Sequence, residues 1–184
     1  GLSNVSYFWD IEKSYDSVDV ALLIKFALSL EYPALLLALA LQQYLSVRII
    51  KVGKCYHTGL IPYTGVLAGC MRCKSLTKVM LYDVLEHVHY VWPSSGPRSY
   101  MDDLAQVTQK ANDDAALAER AKAATLLVHM LARRKFKMTS KSVVLTSSKE
   151  LDRRCRTWMD RVGIRVEGAT VVRDLGVEYT ARSR

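Results

Sequence analysis

Apolar and polar positions follow two rhythms along this chain, and the changes of rhythm mark its elements. Residues 5–9 form an apolar, aromatic, β-prone run that ends at Asp10. Residues 18–45 are strongly apolar and helix-prone but are broken by Pro33, so they read as two helices, the second starting near that proline. Asp16 is the expected cap of the first. The leucine-alanine run in this stretch is too short to cross a bilayer, and it predicts buried core rather than a membrane span. Residues 76–89 carry Val79, Met80, Val84, Leu85 and Val88 near helical spacing, as a core-facing helix does. Residues 112–134 predict an alanine-rich amphipathic helix, with Asn112, Asp113 and Asp114 at its N-terminal end and arginines at the other, as the helix dipole prefers.

Residues 47–52 and 143–145 read as strands, and residues 171–179 supply a further hairpin arm. Ser99-Tyr100-Met101 and Leu104-Ala105-Gln106-Val107 read as the arms of a hairpin around Asp102 and Asp103, entered from the loop Pro93-Ser94-Ser95-Gly96-Pro97. Strand, helices, hairpin, helix and strand is an α+β order, predicted with an antiparallel sheet and helices packed on one face. The 184 residues are enough for one domain with a single core.

Charge narrows the class of partner. A formal charge of +8 favours a polyanion. The basic residues crowd the C-terminal part in two clusters, Arg133, Arg134, Lys135, Lys137 and Lys141, then Arg153, Arg154, Arg156, Arg161 and Arg165. Each cluster suits either a phosphate backbone or a solvated helix face. Cys70-x-x-Cys73 lacks the second close pair that a structural zinc site needs, and Cys55 and Cys155 stand alone, so free thiols in a reducing, intracellular compartment, nuclear or cytoplasmic, are expected. His87 and His89, two apart on a helix, face different directions and do not make a joint metal site.

The carboxylates carry the sharpest chemistry. Transfer of a nucleotide to a primer 3′-hydroxyl uses one metal ion to acidify the hydroxyl and a second to neutralise the leaving triphosphate. Hard Mg²⁺ takes oxygen ligands and keeps several waters, so a few carboxylates suffice. A strand ending at Asp10 and a hairpin presenting Asp102 and Asp103 is an arrangement that supplies them.

Residues 6–179 resemble the palm of reverse transcriptases, in particular those of non-LTR retroelements and group II introns. Asp10-Ile11-Glu12-Lys13-Ser14-Tyr15-Asp16-Ser17-Val18 resembles the first catalytic motif, Gly65-Val66-Leu67-Ala68-Gly69-Cys70 the glycine-rich second, and Tyr100-Met101-Asp102-Asp103 the third. Lys135-Phe136-Lys137-Met138-Thr139-Ser140-Lys141-Ser142 is similar to the fourth, and Asp174-Leu175-Gly176-Val177 to the element that supports the primer grip. The second motif departs from the family in having Ala68 and Cys70 where glutamine and serine are usual, with no Ser-Pro after them.

The resemblance implies RNA-directed DNA polymerase activity with an RNA template, a DNA primer and deoxynucleoside triphosphates. Asp10, Asp102 and Asp103 would bind two Mg²⁺ ions, for which Mn²⁺ can substitute. Lys141 would neutralise pyrophosphate, Tyr15 would exclude ribose, and Gly65, Gly69, Tyr100 and Met101 would meet the nucleotide. An RNA-dependent RNA polymerase palm, with Asp16 sensing the ribose, and an inactive nucleic-acid-binding scaffold are the alternatives. Because Gly1 stands almost on the first motif and the chain stops just past the last, a palm fragment largely without fingers and thumb is expected.

Overall fold

The computed structural model describes residues 2–57, 59–100, 103–174 and 177–180. The chain forms two compact units, Gly1–Glu12 with Asp83–Arg184, and Lys13–Tyr82.

The first unit is built on a five-stranded sheet of order β4-β5-β1-β6-β7, with β1 Ser3–Asp10, β4 Pro97–Tyr100, β5 Asp103–Lys110, β6 Val143–Thr146 and β7 Glu167–Ala169. Helices α4 (Asp113–Arg133) and α5 (Lys149–Arg161) pack on it, α4 against β1 and β5, α5 against β6 and β7. β1 and β4 are parallel with β5 between them, and β5 and β6 are parallel with β1 between them, which is the interleaved split β-α-β connectivity. The class is α+β, but the sheet is mixed rather than antiparallel: β7 runs parallel to β6. The 13-residue α5 carries the chain back along the sheet before it re-enters, and a crossover of that length delivers a parallel neighbour.

Helix α4 shows why the sequence folds here as it does. Asn112 caps it by accepting a 2.8 Å hydrogen bond from the Ala115 N–H, Asp113 and Asp114 occupy the first turn and Arg133 the last. Ala116, Arg120, Ala123, Ala124, Leu127 and Leu131 lie on its buried stripe, and the alanines let the helix approach the sheet closely. Helix α5 was not expected from the apolar pattern. Its buried stripe is only Leu151, Cys155 and Met159 among arginines, and Ser148 caps it through the Leu151 N–H at 3.2 Å. A separate hairpin of β8 (Val171–Asp174) and β9 (Val177–Thr180), rather than a single arm, ends the described chain.

In the second unit, α1 (Val20–Ser29) and α2 (Ala34–Tyr44) flank Pro33 and bury Leu23, Ala27, Leu37, Ala40 and Tyr44. The cap of α1 is Asp19, accepting from the Leu22 N–H at 2.9 Å, and not Asp16. Asp16 sits instead in the turn before it, where Ser17 N–H bonds the Lys13 carbonyl at 2.8 Å. The strand expected over residues 47–52 contracts to β2 (Lys51–Val52), which turns at Gly53, φ +60°, to meet β3 (Cys55–Tyr56). Helix α3 (Cys73–Val91) begins in this unit and ends in the other. No helix among the described residues is long and apolar enough to cross a membrane.

Candidate functional site

Alternation along β1 decides which side chains reach the site. Val5, Tyr7 and Trp9 share the face covered by α4 and α5, where the Tyr7 and Trp9 rings stack with centroids 5.0 Å apart. Ser6, Phe8 and Asp10 have the opposite parity and point away from those helices. Asp10 is the direct cross-strand partner of Asp103, so both carboxylates stand on the open face at the mouth of the β4–β5 hairpin. Cross-strand neighbours have Cβ atoms about 4.5–5.5 Å apart. Asp103 is exposed and Asp10 half-buried.

Asp10 is fixed from the segment after α4. Thr139 Oγ1 donates to Asp10 Oδ2 at 2.8 Å, the Thr139 N–H donates to the Asp10 carbonyl at 2.8 Å, and the Asp10 N–H donates to Ser142 Oγ at 3.2 Å. Thr139 Oγ1 in turn accepts from the Lys141 N–H at 3.0 Å, which ties the loop bearing the exposed Lys141 side chain to Asp10. Thr139 and Ser142 were not singled out from sequence. Their signal is three hydroxyls interleaved with lysines in residues 135–142.

The turn that feeds the hairpin is braced from below. Ser95, fully buried in the 3₁₀ turn Pro93–Ser95, meets Thr108 Oγ1 at 2.6 Å and donates to Glu119 Oε1 at 2.6 Å. Its carbonyl accepts from Gln106 Nε2 at 3.3 Å and Arg120 Nη1 at 3.1 Å, and Gln106 Oε1 accepts from Trp9 Nε1 at 3.0 Å. Lys110 closes the group with a 2.6 Å ion pair to Glu119. Burial pushes the Glu119 carboxyl upward, but hydrogen bonds from Lys110, Ser94 and Ser95 outweigh it and hold the group below its ordinary value. Arg120 is 0% exposed, its Nε and Nη2 have no hydrogen-bond partner among the described residues, and burial pushes its guanidinium down to about 9.

The remaining expected site residues divide. Met101 and Asp102 lie outside the described residues, while the Tyr100 backbone pairs with Asp103. Tyr15, Gly65 and Gly69 belong to the unit Lys13–Tyr82. There the Tyr15 carbonyl accepts from the Val66 N–H and the Val18 carbonyl from the Gly65 N–H, each at 2.8 Å. Gly65 has φ +90°, and a Cβ on it would lie 3.2 Å from Asp16 Cα, so glycine is needed for a backbone contact. Gly69 has φ +85° in open space.

The two basic clusters separate. Arg153, Arg154 and Arg156 lie on α5, on the face away from Asp10 and Asp103, and pair with Glu150, Asp114 and Asp152 at 2.7, 2.6 and 2.8 Å. Such exposed pairs are screened by solvent and add little to stability. In the first cluster Arg134 pairs with Asp83 at 3.1 Å, and the Lys137 carbonyl accepts from the Glu12 N–H at 2.9 Å beside Asp10. On the open face, the Tyr179 ring of β9 lies over Phe8 with centroids 5.2 Å apart. No group of three or more His, Cys, Asp or Glu able to hold a metal ion occurs among the described residues. No protein-family model matches this chain, and no curated protein matches it.

Proposed function

We propose that this chain is the palm of an RNA-directed DNA polymerase. The observation that carries the reading is the cross-strand placement of Asp10 beside Asp103, on the sheet face turned from α4 and α5, at the mouth of a hairpin whose sequence is Tyr100-Met101-Asp102-Asp103. Their donors are all carboxylate oxygens, a set suited to Mg²⁺ or Mn²⁺. Asp10, Asp103 and Asp102 would hold two such ions, which acidify a primer 3′-hydroxyl and offset triphosphate charge.

The chain's own groups prepare that site. Thr139 orients the Asp10 carboxylate, and because its hydroxyl proton is donated to Oδ2, the other oxygen is left to a ligand. Lys141 reaches into solvent from the loop that Thr139 secures, where its ammonium would neutralise departing pyrophosphate. Tyr15 would exclude ribose, with Gly65, Gly69, Tyr100 and Met101 at the nucleotide. The contact of Tyr179 with Phe8 supports assigning the β8–β9 hairpin to the primer, since it lies on the face that carries Asp10.

Primer extension on an RNA template with Mg²⁺, comparing deoxynucleotides with ribonucleotides, tests the assignment. Deoxynucleotide extension that disappears in Asp102→Asn is the expected result. Ribonucleotide preference would move the reading to an RNA polymerase with Asp16 at the ribose, and no extension by folded protein would leave a nucleic-acid-binding scaffold. Thr139→Val removes the hydroxyl bond to the Asp10 carboxylate, and with it the acceptor of the Lys141 N–H, without changing the side chain's size, while the backbone bond to the Asp10 carbonyl stays. It is expected to slow extension about 10–100-fold, as loss of a ligand-orienting group does, while urea unfolding shifts by about 1 kcal/mol. Unchanged extension at saturating and limiting Mg²⁺ would exclude an orienting role for Thr139.

A further inference from the structure

β4 begins only at Pro97, opposite Gln106, so the sheet edge changes further along β5. A cavity of about 510 Å³ opens there, lined by His89, Pro93, Gly96, Arg98, Val107 and Gln109 among others. Val107 lies four residues from Asp103, about 13 Å at the rise of a strand. Val107 and Gln109 have the parity of Asp103, and Arg98 shares it as the partner of Ala105. Arg98, Val107 and Gln109 thus line the notch from the sheet face of the acidic pair, while Ser94 and Pro97 close it toward α4.

Its walls are built around one imidazole. A Cβ on Gly96 would stand 2.3 Å from His89 Nδ1, although Gly96 has φ −57° and ψ 138°, a conformation any residue adopts. A larger residue at position 96 would have to displace the exposed His89 ring, and Pro93 and Pro97 stiffen the chain on either side. The lining residues include a guanidinium, an imidazole and an amide but no carboxylate, and Arg98 is exposed with no hydrogen bond or ion pair among the described residues.

We propose that this notch is a subsite for a backbone phosphate of the nucleic-acid strand whose end reaches Asp10 and Asp103, an inference that rests on the polymerase reading. Arg98 offers two parallel N–H donors to a phosphodiester, His89 and Gln109 offer single donors, and Val107 offers apolar surface to the sugar. Arg98, as the partner of Ala105, stands two residues along the ladder from Asp103, so the phosphate it meets belongs to a linkage close behind the strand end.

Fluorescence anisotropy with an RNA–DNA duplex bearing a recessed 3′ end, carrying a neutral methylphosphonate at each linkage in turn, tests this directly. In the unmodified protein, a neutral linkage at one position close behind the recessed end is expected to weaken binding. In Arg98→Ala the same linkage has no further effect, and the slope of log K against log salt is smaller by about one. Arg98→Lys restores the slope, and Gly96→Ala, which displaces His89, weakens binding to the unmodified duplex. If Arg98→Ala keeps the full response at every linkage, the subsite is wrong while nucleic-acid binding stands. If the unmodified protein binds no duplex at all, the polymerase reading fails and the subsite fails with it.

Discussion

Replacing Asp10 by asparagine is expected to cut Mg²⁺-dependent primer extension at least about a thousandfold, the equivalent of about 4 kcal/mol of lost transition-state stabilisation. The same change is expected to make the metal-free protein more stable. Asp10 and Asp103 are direct cross-strand partners, where opposite charges gain about 0.2–1 kcal/mol and like charges are destabilising. Asparagine keeps an oxygen that accepts from Thr139 Oγ1, so the local hydrogen bond survives. Melting should therefore rise by about 1–3 °C in the absence of metal. Added Mg²⁺ should raise the melting temperature of the unmodified protein and not of the variant, because only the former gains by binding. A variant that melts lower than the unmodified protein in metal-free buffer would make Asp10 a structural residue.

Arg120→Met is expected to stabilise the fold at pH 7.5 by about 1–4 kcal/mol, as replacement of a poorly paired buried charge by an apolar side chain often does. Among the described residues Arg120 makes one hydrogen bond, to the Ser95 carbonyl, and leaves Nε and Nη2 unpartnered with 0% exposure. The Ser95 carbonyl keeps the Gln106 amide donor when the arginine is gone. The pH dependence gives a second signature. The Arg120 guanidinium sits at about 9 in the folded chain, well below its ordinary value, so the unfolded chain binds more protons between those two values. Its penalty is complete below pH 9 and is relieved as pH rises through that window.

Cys155 acts with the opposite sign, since burial pushes its thiol up to about 11 and the resulting stabilisation, full below 9, is lost as pH rises. Tyr7, raised by burial and beside Cys155, behaves like it. Arg120 lowers both groups, so its removal adds to their loss at high pH. The advantage of Arg120→Met measured by urea unfolding should accordingly shrink from pH 7.5 to pH 10.5. A variant less stable than the unmodified protein by the same amount at both values would mean that the bond to Ser95 outweighs the cost of burial.

What the sequence reveals, and what it hides, follows from how each element is stabilised. β1, the paired strands β4 and β5, and α4 are legible because local signals agree with their final environment: an aromatic strand, two arms flanking an Asp-Asp pair, and an asparagine cap before an acidic first turn. α5 is obscured because three buried residues four apart are scattered among arginines, and its helix depends on packing against β6 and β7. The parallel strand Glu167–Ala169 has no apolar run of its own and is recruited by the crossover. Asp16 and Asp19 are equally good cap residues by type, and only the start of the helix at Val20 chooses between them.

In the site, Asp10 and Asp103 are readable from their motifs, whereas Thr139 and Ser142 reach Asp10 across about 130 residues of chain, through pairing that no local pattern encodes. Arg120 was hidden by its charge, since a lone arginine in an amphipathic helix reads as solvent-facing. Its spacing, four residues after Ala116 and seven before Leu127, puts it on the buried stripe.

The close approach of Gly65 to Asp16 bears on how lineages of this fold would drift. A side chain at position 65 strains the backbone beside the first motif whether or not any nucleotide is ever bound. Asp10 and Asp103, in contrast, are like charges on directly paired positions, and on the polymerase reading they serve only to hold metal. A descendant released from selection for catalysis would shed its acids while keeping its glycine. In such a lineage the glycine motif records folding ancestry, and the acidic pair is the part of the sequence that dates the last use of the chemistry.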